Sequence, residues 1–399
     1  MKVAFLGNMN NNHFAMARFL RDRGVDAEVL LFDNEIAHFH PLSDTYDLSY
    51  MDFCRQLVWG SLGSVLNTPC AQIKEDLASY DILIGCGLAP AWCNRIGFHL
   101  DIFVPYGDDL WKETFYRLVN PVRIAQSWMM VHYQRRGIPQ SRVFHMDYTN
   151  DLYESQHRKY KGNSERWFMG LPMVYTGIYN PISVRQLSDR SHWWYEFKRF
   201  REQYELMVFL HVRHVWGGSP HDPNQKGIDK LLHGWALFKK KHPAIKAVLV
   251  TLEYGKDVHK SKKLIQELGI ADSVAWMPMM YRKDLMVGLA MADIACSEFA
   301  NSWICSGVLY ESLAMGKPIL AYRNDDLYKD YYPEFYPIMN ANDPEGIAER
   351  LNEYLESPAA FKAMGEQGRQ WYEKYIVEAV IGKYMRYIET RETQCIAAK

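Results

Sequence analysis

Short apolar runs alternate with amphipathic stretches along most of the chain. Val3-Ala4-Phe5-Leu6 runs unbroken into Gly7, and the polar stretch Asn8–Asn12 follows. Next comes a segment with Phe14, Ala17 and Leu20 on one helical face, halted at Gly24. Val29–Asp33, Ile82–Gly85 and Ile102–Val104 are further short apolar segments. Continuous apolar strands separated by helical stretches predict a parallel sheet covered by helices on both faces.

Between 147 and 192 the pattern weakens into Tyr, Arg, Lys, Asn, Ser and Pro without a period, and we place a domain junction there. A second α/β run opens at Met207–Leu210. It continues through a helix over 227–241, the strand Ala247–Leu252, a helix over 258–268 and the strand Val274–Trp276. A helix over 283–291, the strand Asp293–Cys296 and a helix over 307–315 come next. Gly316-Lys317-Pro318 stops that helix before the strand Ile319–Tyr322. Asp343-Pro344 reads as N-cap and first-turn proline of a helix with Ile347, Leu351 and Leu355 on its apolar stripe. The fold class is therefore α/β, with two Rossmann-like parallel-sheet domains. Facing one another, such domains form a cleft at the carboxyl ends of their strands, where ligands bind.

Composition narrows the function. The 399 residues are 48% hydrophobic, which excludes a disordered chain. Lys plus Arg (46) balances Asp plus Glu (47), which argues against a protein devoted to nucleic acid. No apolar run approaches the roughly 18 residues of a membrane-spanning helix, and no secretory signal is expected at the N-terminus. The seven cysteines are odd in number and lack C-x-x-C spacing, so neither a disulfide framework nor a zinc site is expected. A reducing, cytoplasmic compartment fits best. The 14% aromatic content suits sugar stacking, although packing is the commoner use of such rings.

Four places suggest chemistry. Ser306 and Gly307 precede an apolar helix whose first backbone N–H groups can hold an anion, and Glu311 lies one turn in. A carboxylate there can accept hydrogen bonds from two ribose hydroxyls, or it can simply be a first-turn Glu favoured by the helix dipole. Arg213 at a strand end and Lys226 before a helix converge on the mouth of the second sheet, where two cations can neutralise a diphosphate leaving group, or they can be two solvated surface cations. Gly7 followed by Asn8 forms the first strand-to-helix loop, able to present N–H groups to a phosphate or an acceptor. With one glycine it is no dinucleotide fingerprint. Asp108 and Asp109 follow the strand at 102–104 and can orient an acceptor hydroxyl, or one of them can cap the next helix. The histidines show no ligand spacing and there is no D-x-D pair, so no metal is expected.

The stretch from Ser302 to Pro318, with Glu311, a helix of small residues and Gly316-Lys317-Pro318, resembles the C-terminal signature of the retaining GT4-type glycosyltransferases (glycosyl transferases group 1), which have the GT-B fold. The family carries two glutamates eight positions apart. Glu311 matches the second, which binds the nucleotide ribose. The first falls on Trp303, and the nearest upstream acid, Glu298, is five residues out of register. The ribose contact is carried over and the sugar contact is not. Arg213 and Lys226-Gly227 match the Arg and Lys-Gly that bind the donor diphosphate, although the loop Gly217–Pro223 between them is longer than usual. Met277-Pro278-Met279-Met280 falls where the family passes the nucleotide base, which would give Met279 to the donor, although core filling is the commoner use of methionine.

The resemblance implies an acceptor-side domain over 1–175 and a nucleotide-sugar-binding domain over 176–375. A terminal helix, 376–399, then returns to the first domain. The implied function is a metal-independent glycosyltransferase of the hexosyltransferase type. It moves a sugar from a nucleotide-diphosphate donor to a hydroxyl acceptor, a glycan or a lipid-linked one, with retention, in bacterial surface polysaccharide assembly. Arg213 and Lys226 are its catalytic cations. Gly7, Ser306, Gly307, Glu311 and Met279 belong to the donor, and Asn8, Asp108 and Asp109 to the acceptor side. No cofactor is implied beyond the donor. His192–Arg201 mixes rings with bases, which suits either packing at the junction or peripheral association with the inner face of the membrane. Two rivals are kept: a nucleotide-sugar epimerase of the same architecture, and a transferase-like binding subunit without turnover, which Trp303 makes worth testing.

Overall fold

The computed structural model describes residues 1–115, 121–146, 155, 158–160, 164–219, 222 and 224–397. Much of 147–163 in the expected junction, and Pro220, His221 and Pro223 of the long loop, lie outside the described residues. The chain forms two compact units, Met1–Tyr175 with Ile376–Lys399, and Thr176–Tyr375.

The first unit is built on seven parallel strands: β1 (Lys2–Leu6), β2 (Asp26–Leu31), β3 (Cys54–Gln56), β4 (Ile82–Gly85), β5 (Ile102–Phe103), β6 (Val143–Met146) and β7 (Glu165–Phe168). Their order is β3-β2-β1-β4-β5-β6-β7. The apolar run that begins the chain is the central strand, with Phe5 opposite Val29 on one side and Ile84 on the other. Both faces of that strand are covered, which is why no polar residue interrupts it.

The second unit has six parallel strands: β8 (Leu206–Leu210), β9 (Ala247–Leu252), β10 (Val274–Met277), β11 (Ile294–Cys296), β12 (Ile319–Ala321) and β13 (Met339–Asn340). Their order, β10-β9-β8-β11-β12-β13, repeats that of the first unit up to its last strand. In each sheet the order reverses beside the first strand of the unit, between β1 and β4 and between β8 and β11. Such reversals open a crevice at the carboxyl ends of the strands.

The aromatic content goes largely into packing. Trp59, Trp92, Trp235, Tyr310, Tyr336 and Tyr372 are fully buried. Buried indoles find partners, as Trp92 donates to Gly60 O (2.7 Å) and Trp235 to Ser273 Oγ (3.0 Å). Asp343 caps the helix Pro344–Glu356 by accepting from Gly346 N at 2.8 Å. The helix Ala379–Ala397 belongs to the first unit. Tyr384 packs on Trp167 and donates its hydroxyl to His145 Nδ1 (2.7 Å), while Tyr387 Oη reaches Asp101 Oδ1 (3.0 Å). His145 Nε2 faces Met169 O, and burial lowers its pKa to about 4, so the ring is neutral and the Nε2–H donates. The segment His192–Arg201 runs into the helix Trp194–Gln203, whose Phe197 and Phe200 are buried in the second unit. All seven cysteines are free thiols. Among the described residues, no helix is long and apolar enough to cross a membrane.

Candidate functional site

The crevice beside β8 and β11 gathers most of the charged candidates. β8 delivers His211, Val212 and Arg213 to its carboxyl end, and β11 delivers Ser297 and Glu298. Two backbone bonds pull the following loops together: Phe299 N donates to Lys226 O (2.8 Å), and Lys226 N donates to Val215 O (2.7 Å). Gly227 makes the approach possible. Its φ is +65°, and a Cβ there would come within 2.8 Å of Ala300 N and 2.9 Å of Phe299 C. Lys226, almost wholly buried, is thereby set against Glu298, with its Nζ bonded to Glu298 Oε1. The Nζ also lies 5.9 Å from the centre of the Trp303 ring.

Burial raises the pKa of Glu298, and the charges of Lys226 and Arg213 together with Trp303 only partly offset it. Arg213 itself is exposed. One carboxylate thus stands beside two cations, one buried and one facing solvent.

Glu311 is reached from the other side of β8. Its helix, Gly307–Ala314, begins at Ser306, whose Oγ accepts from Leu309 N at 3.3 Å. The Glu311 carboxylate is buried between Arg282, whose Nε is 2.9 Å from Oε1, and His211, whose Nε2 is 3.2 Å from Oε2. Burial pushes this carboxyl up, but the close His211 ring and the Arg282 charge outweigh it and hold the pKa below the ordinary value. Each oxygen keeps further lone-pair capacity, since a carboxylate accepts about four bonds. Gly307 has nothing within 4 Å of the place a Cβ would occupy, so the helix start opens on free space. Met279, after β10, is 63% exposed and can be reached by a ligand.

The first unit uses its crevice differently. Gly7 adopts φ +77°, with Phe32, Cys86 and Glu35 all within 3.3 Å of its virtual Cβ. Asn8 is wholly buried. It donates to Asn11 Oδ1 (2.9 Å) and Phe39 O (2.7 Å) and accepts from Phe14 N (2.9 Å). Besides Gly7, the left-handed residues of this loop are Asn10 and Asn11, at φ +52° and +61°. Glu35 accepts from Asn8 N and from Phe32 N (2.8 Å), closing the loop from beneath. Asp109 is fully buried too, accepting from Gly87 N (3.0 Å), Tyr106 N (3.2 Å) and Gly107 N (3.0 Å).

Asn8 and Asp109, expected on the acceptor side, are therefore spent within the protein: Asp109 on backbone N–H groups that follow β4 and β5, and Asn8 on the Asn11 side chain, Phe39 O and Phe14 N. Burial pushes both Glu35 and Asp109 up to about 7. Asp108 alone of the doublet keeps an exposed carboxylate, paired with Lys112. Among the described residues, no group of three His, Cys, Asp or Glu side chains could hold a metal ion.

Comparison with known proteins bears on the fold and on the second unit. Residues 220–371 match the family model for glycosyl transferases, group 1. Over 147 residues the chain is 28% identical to the MMP alpha-(1->4)-mannosyltransferase of Mycolicibacterium hassiacum, covering 36% of this chain and 35% of that protein. The chain thus spans about a third of the length of the curated relative it matches. Among solved structures it resembles Anabaena HepE in complex with UDP and glucose (TM-score 0.61, 13% identity, 98% of this chain and 100% of that one). Sucrose-phosphate synthase from Thermosynechococcus elongatus is comparably similar (TM-score 0.59, 14% identity, all of both chains).

The fold is GT-B, and its second unit resembles the group 1 glycosyl transferases.

Within this GT-B fold, three residues of the candidate site escape sequence reasoning. His211 and Arg282 belong to no motif, and only folding brings them to Glu311. Spacing alone rejects Glu298, yet it is the acid bonded to Lys226. A signal existed in the sequence: Glu298 is the second residue past an apolar strand, at the carboxyl end where open α/β sheets bind ligands.

Proposed function

We propose that the chain is a glycosyltransferase that moves a hexosyl group from a nucleotide-diphosphate-sugar to a hydroxyl acceptor, with retention and without a metal ion. The supporting observation is the convergence of Arg213, Lys226, Glu298 and Glu311 at the β8/β11 crevice, three of them inside the stretch that matches the group 1 family. Sugar transfer builds negative charge on the departing diphosphate. Two cations already held beside that position stabilise it without reorganising as the bond breaks.

In this reading Arg213 and Lys226 take the diphosphate. Glu311, kept ionised and aimed by Arg282 and His211, accepts the ribose hydroxyls on its remaining lone pairs. The open helix start at Ser306–Gly307 offers N–H groups to phosphate or sugar, and Met279 lies against the base. The attacking hydroxyl approaches on the face of the leaving phosphate, which takes its proton, so no protein base is required. Gly7 shapes the first loop, and Asp108 is the acceptor-side carboxylate that keeps solvent access. Assembly of a bacterial surface glycan, at the inner face of the membrane, is the setting this reading favours.

The test is thermal-shift binding against UDP-, GDP-, ADP-, CMP- and dTDP-sugars, followed by transfer assays in the presence of EDTA. A stabilising shift with one base, lost in Glu311→Ala, is expected. Near-normal transfer by both Arg213→Ala and Lys226→Ala would overturn the assignment. Conversion of donor alone into a stereoisomer would instead identify an epimerase. Tight donor binding without transfer or hydrolysis would identify a binding subunit.

A further inference from the structure

The opposite edge of the second sheet carries a second concentration of charge. A cavity of about 900 Å³ opens there, where the chain enters β8, β11 and β12. In a parallel sheet this is the edge away from His211, Arg213 and Glu298. Five cations line it, Arg185, Lys198, Arg201, Lys317 and Lys362, against three carboxylates.

Those carboxylates are already spent. Asp293 is bonded to Arg201 and to Met207 N (2.8 Å), Glu202 faces Lys198 at 3.7 Å, and Glu366 is bonded to Arg369 at 2.6 Å. That leaves Arg185, Lys317 and Lys362 with no carboxylate in ion-pair reach among the described residues. Lys317 is the centre of the arrangement. Its side chain is partly buried and, among the described residues, its ammonium donates to the carbonyls of Ala290 (3.1 Å) and Ala292 (2.7 Å) alone. Burial lowers its pKa to about 8, with Arg185, Arg201 and Lys362 adding to the fall and Asp293 opposing it. Gathering like charges round a desolvated ammonium is costly unless an anion shares the space. The walls supply a second preference, since Trp194, Tyr354, Met291 and Met315 face the same cavity.

We propose that this cavity is a second ligand site, distinct from the β8/β11 crevice, for a phosphate ester whose other portion is aromatic or apolar. The phosphate oxygens would meet Lys317, Arg185 and Lys362, and the organic portion would lie on Trp194 and Tyr354. The preference is for phosphate over carboxylate, because three separate cations match three oxygens better than two.

The test is isothermal titration of the full chain with phenyl phosphate and with inorganic phosphate. It is run in an Arg213→Ala background, a change at an exposed position that spares the buried Lys226–Glu298 pair, so that failure of the donor-site reading does not disturb it. Phenyl phosphate is expected to bind with unit stoichiometry and about tenfold more tightly than inorganic phosphate. Adding Arg185→Glu/Lys362→Glu, both at exposed positions, is expected to lower affinity by at least about tenfold with the melting temperature retained. Arg185→Gln/Lys362→Gln provides the same reading should the reversal unfold the unit. Cosedimentation with phosphatidylglycerol vesicles, lost in the same variants, would assign the phosphate to a lipid head group. Binding in solution without cosedimentation would assign it to a soluble ester. Absence of phenyl phosphate binding, or binding unchanged in the charge-altered variants, would overturn the proposal.

Discussion

At the point where its strand order reverses, the first sheet is closed by Gly7, Asn8, Glu35 and Asp109, all turned into protein. The second sheet places Arg213, Lys226, Glu298 and Glu311 at the equivalent point. Both crevices contain buried carboxylates, and the difference lies in what satisfies them. Glu35 and Asp109 accept from backbone N–H groups, which are fixed by the chain and cannot leave. Among the described residues, no cation pairs with either, and burial raises both to about 7. Glu298 and Glu311 are met by side-chain cations, which can turn toward a ligand. The same residue type is thus a structural brace in one unit and part of an exchangeable charge cluster in the other.

The largest expected effect breaks the charge cluster. Arg213→Ala and Lys226→Ala should each lower transfer by about 10²-fold or more, measured as kcat/KM with the preferred donor. Arg213, being exposed, should leave the melting temperature nearly unchanged. Next, Lys226→Ala leaves Glu298 buried without its partner, which should cost about 3–5 kcal/mol of stability in denaturant unfolding. Adding Glu298→Gln should restore most of that stability and none of the activity. A double variant as unstable as the single one would show that the pair is not coupled.

Asp109→Ala probes the opposite unit. It strands the N–H groups of Gly87, Tyr106 and Gly107 and should cost about 2–4 kcal/mol, while donor affinity in the second unit is unchanged.

Glu35 gives a pH-dependent version of the comparison. Its carboxyl stands near 7 in the folded chain against about 4.5 unfolded, so the native state binds more protons between those values. Its contribution is fully present below pH 4.5 and is lost as pH rises through 7. The stability of the wild type relative to Glu35→Gln should fall by roughly 3 kcal/mol from pH 4 to pH 8. A flat difference would mean that the carboxylate is compensated after all. The smallest effect is expected at Met279→Ala, where 63% exposure predicts a stability change within about 0.5 kcal/mol.

What the sequence reveals follows from how locally each feature is encoded. Strands β8, β11 and β12 are continuous apolar runs, β9 is one but for Thr251, and the Asp343 cap sits beside its own helix, so each can be read within a short window. β3 and β7 cannot, because Cys54-Arg55-Gln56 and Glu165-Arg166-Trp167-Phe168 are edge strands half open to solvent. The site divides in the same way. Glu311 and the Lys226-Gly227 pair lie in local motifs. The bond from Lys226 to Glu298 spans 72 residues, and that from Arg282 to Glu311 spans 29. A fixed spacing rejects Glu298, whereas the backbone bonds at Phe299 that bring it to Lys226 exist only after folding. Asn8 and Asp109 show the converse: polar residues at a strand end are consistent with contact and with bracing, and only burial separates the two.

The helix Ala379–Ala397 also imposes an order of events during synthesis. The first unit cannot be finished when its own 175 residues have emerged, because Trp167, His145 and Asp101 wait for Tyr384 and Tyr387. At about 5–20 residues per second, the ribosome takes roughly 10–40 s to translate the intervening Thr176–Tyr375. Throughout that interval an apolar face near β6 and β7 stays uncovered on the nascent chain. The second unit, contiguous in sequence, suffers no such delay. The half that is made first is therefore the half completed last, and it is the one that would draw on chaperones in the cell.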